Sequence, residues 1–329
     1  MSLLDSLTNE SIWKDFLEIK ENSKNLPQKV IEDYQKFINN KEYMDIAEQI
    51  KDEIYEFSLP KKVLIGKMGK SKKRTVYIYQ EKENYILKMI SFLLYQYDDL
   101  FSPNLYSFRK KIGVKKAIRT IIETKNFNKK YAYKVDIKNY FNSIPIVRLL
   151  PDLKEDLEDE KLYSLIEKLL LNPNVRFGDD IISEEKGIMA GVPISSFFAN
   201  YYLKDLDKYF YEKNILYARY ADDIIVFGNT KEEVEDYQQK ILDFLKEKDL
   251  TVNPDKEYFY NPGDKFDFLG FSFENRIIDI GGNSFKKIKG KIRRTARGLR
   301  RWMLKKEASP EVTLKAMNRK FNKKFFREK

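Results

Sequence analysis

The chain has 329 residues, 42% of them hydrophobic and including 23 Phe and 22 Tyr, enough for a large packed core and too apolar for a disordered protein. It contains no cysteine and no histidine, which excludes disulfides, structural zinc, thiol catalysis, Ser-His triads and HNH-type nuclease chemistry, and leaves only oxygen ligands for any metal. The net charge of +11 is concentrated at the end: residues 286–329 carry 18 Lys/Arg against three Glu, the rest is slightly acidic, and so dense a basic surface points to a polyanion such as nucleic acid.

In chain order, residues 10–58 read as helical, with apolar spacing in SIWKDFLEIK and VIEDYQKFINNKEYMDIAEQIKDEIYEF. KKVLIGKMGKSKKRTVYIY at 61–79 reads as a basic, glycine-containing loop running into a strand at TVYIY. Helices are expected over about 81–97 and 113–124, and YAYKVDI alternates like a strand that ends at an aspartate. One helix is expected over 151–171, and residues 187–213 pass from a Gly/Pro loop into another. LYARYADDIIVFG, 216–228, reads as a β-hairpin, 231–248 as an amphipathic helix, and FDFLGFSFEN as a short β segment before a basic helical tail. No window approaches the roughly 18 apolar residues of a membrane span, and the start lacks a signal-peptide pattern, so a cytoplasmic protein is expected. With no repeat and no Pro/Ser linker, one continuous α+β body with terminal additions is the expected architecture.

Two acidic sites stand out, Asp136 in YKVDIKNYF and Asp222–Asp223 in YADD. Neighbouring strand residues point to opposite faces, so the adjacent pair cannot both face one ion unless the turn re-aims one of them. Asp136 supplies a third carboxylate if its strand pairs with the hairpin. Two Mg²⁺ ions about 4 Å apart, bridged by carboxylates, can activate an attacking hydroxyl and stabilise a leaving oxygen in phosphoryl transfer. A lone Asp-Asp pair is ordinarily a turn former, so the surroundings must decide.

Those surroundings resemble reverse transcriptases, motif by motif and in that family's chain order, over roughly residues 61–300. YKVDIKNYFNSIP resembles the first palm motif, GIMAGVPISSFFANYYL the second and YADD the third. LTVNPDKEYF resembles the fourth, FDFLGFSF the primer-grip segment, and GKSKKRTVYIY and NLYSFRKKIGVKKAI the fingers segments of bacterial and group II intron enzymes. The resemblance implies an α+β right-hand polymerase. An N-terminal helical extension (1–60) would precede fingers (about 61–130 and 147–186), palm (about 131–146 and 187–285) and a basic helical thumb (286–329).

The same resemblance implies roles for particular residues. Asp136, Asp222 and Asp223, with the backbone carbonyl of Ile137, would hold two Mg²⁺ (Mn²⁺ as the substitute), Asp222 ahead of Asp223. Lys72 and Arg74 would meet the incoming triphosphate, and Lys256 would be a general acid near the pyrophosphate. Phe141, five residues after Asp136, would lie under the sugar and reject a 2′-OH, Tyr140 being its core neighbour. Gly191, Pro193 and Ser195 of the second motif would shape the nucleotide pocket. Arg109, the primer-grip residues Phe268, Leu269 and Gly270, and thumb residues Arg293, Arg294, Arg297, Arg300 and Arg301 would contact nucleic acid.

The chain departs from its relatives in places. Ala190 stands where many have Gln, and Ser195–Ser196 where they have Ser-Pro. The retron Asn-Ala-x-x-His motif is absent, as is any histidine. What remains resembles unclassified bacterial enzymes associated with antiphage defence. The expected activity is therefore RNA-directed DNA synthesis from dNTPs, copying a structured non-coding RNA into a DNA product. The rival readings are a catalytically idle RNA-binding scaffold and an RNA-dependent RNA polymerase.

Overall fold

The structure is a computed structural model and describes residues 2–22, 26–66 and 73–325. It divides into two compact units, Met1–Pro262 and Gly263–Lys329. The first opens with α1 (Glu10–Glu21), α2 (Gln28–Asn39) and α3 (Met44–Lys51), whose apolar faces meet around Trp13. The Trp13 ring is fully buried, stacks on Tyr43 with centroids 4.4 Å apart, and donates its indole N–H to the Leu7 carbonyl at 2.7 Å. Trp13 and Tyr43 lie in one hydrophobic cluster with Tyr133 and Ile224 of later strands, so the N-terminal helices share the core of the first unit.

Strand β1 (Lys61–Gly66) pairs antiparallel with β2 (Lys73–Ile78), and helices α4 (Glu81–Leu93) and α5 (Val114–Glu123) follow. KKVLIG is thus a strand where a loop was expected: its cross-strand partner, which local composition does not reveal, satisfies its backbone. Strand β3 (Tyr131–Asp136) leads through the single turn α6 (Tyr140–Ser143) into α7 (Ile146–Leu157) and α8 (Glu160–Leu171). The single helix expected over 151–171 is therefore two, broken where Glu158 takes a left-handed φ of 48° and Asp159 caps the second. The Asp159 carboxylate accepts from the Leu162 N–H at 3.1 Å and from the Leu3 N–H at 2.7 Å, fastening the N-terminus to α8. A further hairpin of β4 (Asn174–Phe177) and β5 (Asp180–Ser183) joins β1 in parallel, making a sheet of order β2-β1-β4-β5.

The second sheet carries the aspartates. After α9 (Ser195–Tyr201) and α10 (Lys204–Glu212) come the hairpin of β6 (Tyr217–Tyr220) and β7 (Asp223–Gly228), then α11 (Lys231–Glu247) and β8 (Tyr258–Tyr260). Its order is β6-β7-β3-β8, antiparallel throughout. Strand β7 is interior and buried on both faces, which is why IIVF is an unbroken apolar run rather than an alternating one. In β3, Tyr133 and Val135 are buried while Lys134 and Asp136, on the opposite face, stay partly exposed.

Arg219 of β6 anchors the hairpin, and neither it nor its partner Asp207 of α10 has any exposed surface. The guanidinium grips both Asp207 carboxylate oxygens, Nε donating to Oδ1 at 2.8 Å. It also donates to the carbonyls of Asn200 (2.8 Å), Ala199 (3.2 Å) and Ala221 (3.4 Å). Tyr217 adds its hydroxyl to Asp207 Oδ1 at 2.9 Å. Burial works against both charges, but at Arg219 the Asp207 carboxylate outweighs it and moves the guanidinium pKa further up.

The second unit is a three-stranded sheet of order β11-β10-β9, made of β9 (Phe266–Phe268), β10 (Phe271–Glu274) and β11 (Ile277–Ile280), followed by helices α12 (Gly282–Lys306) and α13 (Pro310–Phe325). Leu269 and Gly270, with φ of 49° and 88°, form the two-residue turn between β9 and β10. Among the described residues, no helix is long and apolar enough to cross a membrane.

Arg219→Met is expected to lower stability by about 3–5 kcal/mol, because it strands the Asp207 charge in the core. The double variant Arg219→Met/Asp207→Leu should recover most of that loss. Urea denaturation checks both, and a double variant no better than the single one would contradict the account.

Candidate active site

The register of the second sheet gathers the three aspartates. Asp136, the last residue of β3, lies directly opposite Asp223, the first of β7. Asp222 sits in the tight turn between Tyr220 and Asp223, where Ala221 has the positive φ (57°) that primed hairpin turns require at their first central residue. The turn thus removes Asp222 from strand alternation. The Ala221 N–H donates to Ser107 Oγ at 2.9 Å, and the Asp222 carbonyl accepts from the Ile137 N–H at 3.0 Å. The chain beyond β3 is held from the other side, with Asn253 N–H donating to the Asp136 carbonyl at 2.8 Å.

Two lysines answer the negative charge. Lys256 Nζ donates to Asp136 Oδ2, and Lys134 Nζ stands 3.5 Å from Asp223 Oδ1. That Asp223 oxygen is buried and accepts no hydrogen bond. Burial, above all, pushes the Asp223 carboxyl up to about 6, with Lys134 opposing and the other two aspartates adding to the shift. Asp222 is also raised, first by burial and then by the Asp136 charge, against the pull of Lys256 and Arg74. Burial, more than the neighbouring charges, is therefore what disfavours ionisation at Asp222 and Asp223. Among the described residues, no group of three or more acidic side chains is placed to hold a metal ion as it stands. An all-oxygen donor set with an orphaned buried carboxylate oxygen nonetheless fits a hard divalent cation.

The loop before α9 closes another side. Gly187 (φ 53°) packs so tightly that a Cβ would stand 2.5 Å from the Phe141 carbonyl oxygen. Gly191 (φ 101°) lies against β2, where a Cβ would come within 3.1 Å of the Tyr77 carbonyl oxygen, and Tyr77 N–H donates to Ala190 O at 2.8 Å. The loop thereby joins the strand of Arg74, which is exposed and close enough to act on Asp222. Pro193 is half-buried in the same loop. Phe141 is half-buried beside fully packed Tyr140, whose hydroxyl donates to Ala199 O at 2.6 Å.

Several expected ligand contacts turn out to be structural. The Ser195 hydroxyl is buried and donates to the carbonyls of Ile188 and Met189, the latter at 2.8 Å, so it shapes the loop and presents nothing to a nucleotide. Arg109 forks onto Asp98, with Nε–Oδ1 and Nη2–Oδ2 both 2.8 Å, and gives Nη1 to Ser102 O at 2.8 Å. Its side chain is 8% exposed, so it buttresses its loop and is not free to contact a template. Phe268 is 1% exposed within the second unit, and Leu269 and Gly270 are its turn. In α12, Arg293, Arg297, Arg300 and Arg301 are exposed, as is Arg294. Lys72 lies outside the described residues. The sequence reading missed Lys134, although its place two residues before Asp136 on a strand put it on the same face. It also missed Ser107 and Asn142, whose side chains bind the turn at Ala221 and the Ala190 N–H, a long-range role without a local signal.

Comparison with known proteins agrees with this arrangement. The sequence model of the family described as reverse transcriptase (RNA-dependent DNA polymerase) matches residues 59–273. The chain is 29% identical to the retron Ec73 reverse transcriptase of Escherichia coli over 216 residues, 60% of each chain. It is 22% identical over 295 residues to a putative COX1/OXI3 intron 2 protein of Saccharomyces cerevisiae, covering 69% of this chain and 33% of that protein. It is 28% identical over 170 residues to an uncharacterized 91 kDa protein in the cob intron of Schizosaccharomyces pombe, covering 50% and 20%. The matches thus span between 20% and 60% of these relatives' lengths. Apo telomerase from Candida tropicalis, truncated from its C-terminal domain, superposes with a TM-score of 0.55 at 16% identity, over 68% of this chain and 55% of that one. Telomerase from the same organism in complex with a fragment of telomeric RNA gives 0.53 at 16% identity, over 70% and 45%. At that identity the likeness establishes the fold, an α+β polymerase.

A carboxyl raised to about 6 binds its proton more readily folded than unfolded, so its ionisation costs the metal-free fold stability as pH rises through 6. In the presence of a chelator, Asp223→Asn is expected to be more stable than wild type by about 1–3 kcal/mol near pH 8, with the gap shrinking near pH 5. Thermal denaturation at the two pH values checks this; a less stable variant at the higher pH would contradict it.

Proposed function

Because the chain belongs to the reverse transcriptase (RNA-dependent DNA polymerase) family, we propose that it copies RNA into DNA, adding dNTPs at the site formed by Asp136, Asp222 and Asp223. The observation that carries this reading is the register of the second sheet, which sets Asp136 opposite Asp223 with Asp222 in the adjoining turn. These carboxylates, with the Ile137 carbonyl, would hold two Mg²⁺. When bound, the ions supply charge neutralisation at the triphosphate and acidify the attacking 3′-hydroxyl.

The chain's own groups do the rest. Arg74, on the strand held against the Gly191 loop, offers a forked donor to triphosphate oxygens. Lys256, whose ammonium donates to Asp136, would be the general acid that protonates the departing pyrophosphate. Phe141, half-buried beside its core neighbour Tyr140, would exclude a ribose 2′-hydroxyl. The β6-β7-β3-β8 sheet acts as palm, the β2-β1-β4-β5 sheet as fingers, and α12 as a thumb whose exposed arginines take phosphates, with affinity falling as salt rises. A structured non-coding RNA copied in antiphage defence is the template and setting we propose, on the resemblance of AGVPISSFFANYYL to that group.

Purified protein with Mg²⁺ and a primed RNA template is expected to incorporate dNTPs in preference to rNTPs. Asp222→Asn should abolish extension while RNA binding persists in a filter or polarisation assay. Equal extension by the two proteins would overturn the site, and no extension by wild type would favour the idle scaffold. Sequencing RNA that co-purifies with the protein, and any DNA made from it, tests the proposed template.

A further inference from the structure

Phe108 occupies a backbone position that ought to be unfavourable for it. Its φ is +53°, in the left-handed region that disfavours a residue other than glycine, and 40% of its surface is exposed. Both neighbours hold it there. Ser107 is fully buried, accepts from the Ala221 N–H and donates to Asn200 Oδ1 at 2.8 Å, while Asn200 Nδ2 donates back to the Ser107 carbonyl at 2.8 Å. On the other side is the Arg109–Asp98 fork. Two sets of polar contacts, one buried and one partly buried, thus flank an exposed aromatic side chain at the edge of the aspartate hairpin.

What the ring meets there gives the strain a purpose. Its centroid is 6.1 Å from that of Phe141, edge to face at 89°, and 6.2 Å from that of Tyr220, which immediately precedes the hairpin turn. A cavity of about 100 Å³, lined among others by Phe101, Phe197 and Asn200, is bordered by the same Phe108. The ring therefore touches Phe141 and borders the cavity as well, so its removal would leave space beside Phe141.

We propose that Phe108 is a positioning residue for sugar selection: it backs Phe141 and so sets the room left beside the 2′ position of the incoming nucleotide. This rests on the reading of Phe141 as the residue that excludes a 2′-hydroxyl. Phe108 acts through that ring and does not itself touch the reacting atoms. The aromatic edge, and not merely apolar bulk, is what the geometry requires, since edge-to-face pairs carry a directional preference that aliphatic groups lack.

The positive φ supplies a clean test, because glycine accepts that conformation without penalty and deletes the ring while keeping the loop. Steady-state extension with dNTPs and with rNTPs gives the ratio of kcat/KM for the two sugars. In Phe108→Gly this ratio is expected to fall about tenfold, mainly through a lower KM for rNTPs. An unchanged ratio in Phe108→Gly, with Phe141→Ala lowering it, overturns the role of Phe108 alone. An unchanged ratio in Phe141→Ala overturns the exclusion reading, and this proposal with it. If Phe108→Gly melts well below wild type, Phe108→Tyr and Phe108→Leu carry the comparison. Selectivity kept by Tyr and lost with Leu supports the proposal, and equal selectivity in the two overturns it.

Discussion

The fully buried pair of Arg219 and Asp207 determines where everything else at the site can stand. Its guanidinium reaches α10 through Asp207, the end of α9 through the carbonyls of Ala199 and Asn200, and the hairpin turn through Ala221. The backbone of Arg219 adds the segment before Phe108, exchanging hydrogen bonds with Asn104 O at 3.1 Å and Tyr106 N–H at 2.9 Å. One residue thus ties its own hairpin to three other stretches of chain. A buried ion pair is a poor source of net stability, since desolvation cancels most of its attraction. Its value here is geometric: a forked donor with fixed angles allows one orientation of the hairpin, where an apolar contact would allow several.

That rigidity is needed because the site is electrostatically unfavourable as built. Three carboxylates are drawn together in partial burial, and at two of them burial raises the pKa. Lys256 and Lys134 relieve part of the repulsion. The sheet supplies the opposing force, through the β3–β7 ladder and the bonds that Ile137 and Asn253 make on either side of Asp136.

The polar residues around the turn divide into those that meet solvent and those that hold them out. Ser107, Arg109, Asn142 and Ser195 are committed to the protein's own backbone or carboxylates. Arg74, Phe108 and Phe141, partly or wholly exposed, are the groups those contacts present. Arg109 illustrates the distinction. An arginine in a basic stretch reads as a nucleic-acid contact, yet its planar fork suits the bidentate grip on Asp98 equally well.

Much of this was legible in the residues alone. The alternation of YAYKVDI and the apolar runs around YADD were enough to read a strand and a hairpin, because each follows from nearest-neighbour geometry, and the absence of histidine and cysteine left carboxylates as the charged ligands available. The separation of Asp222 from Asp223 was legible as a question only, and the turn at Ala221 answers it. Strand β1, the β4–β5 hairpin and the break at Glu158 were not legible, since cross-strand partners and a cap that also binds Leu3 are distant in the chain. Sequence by itself determined which chemical groups are present and at what local spacing. Tertiary structure alone decided which of them face outward, because a charged or polar side chain is equally content with water or with a buried partner, and only the fold says whether the partner is there.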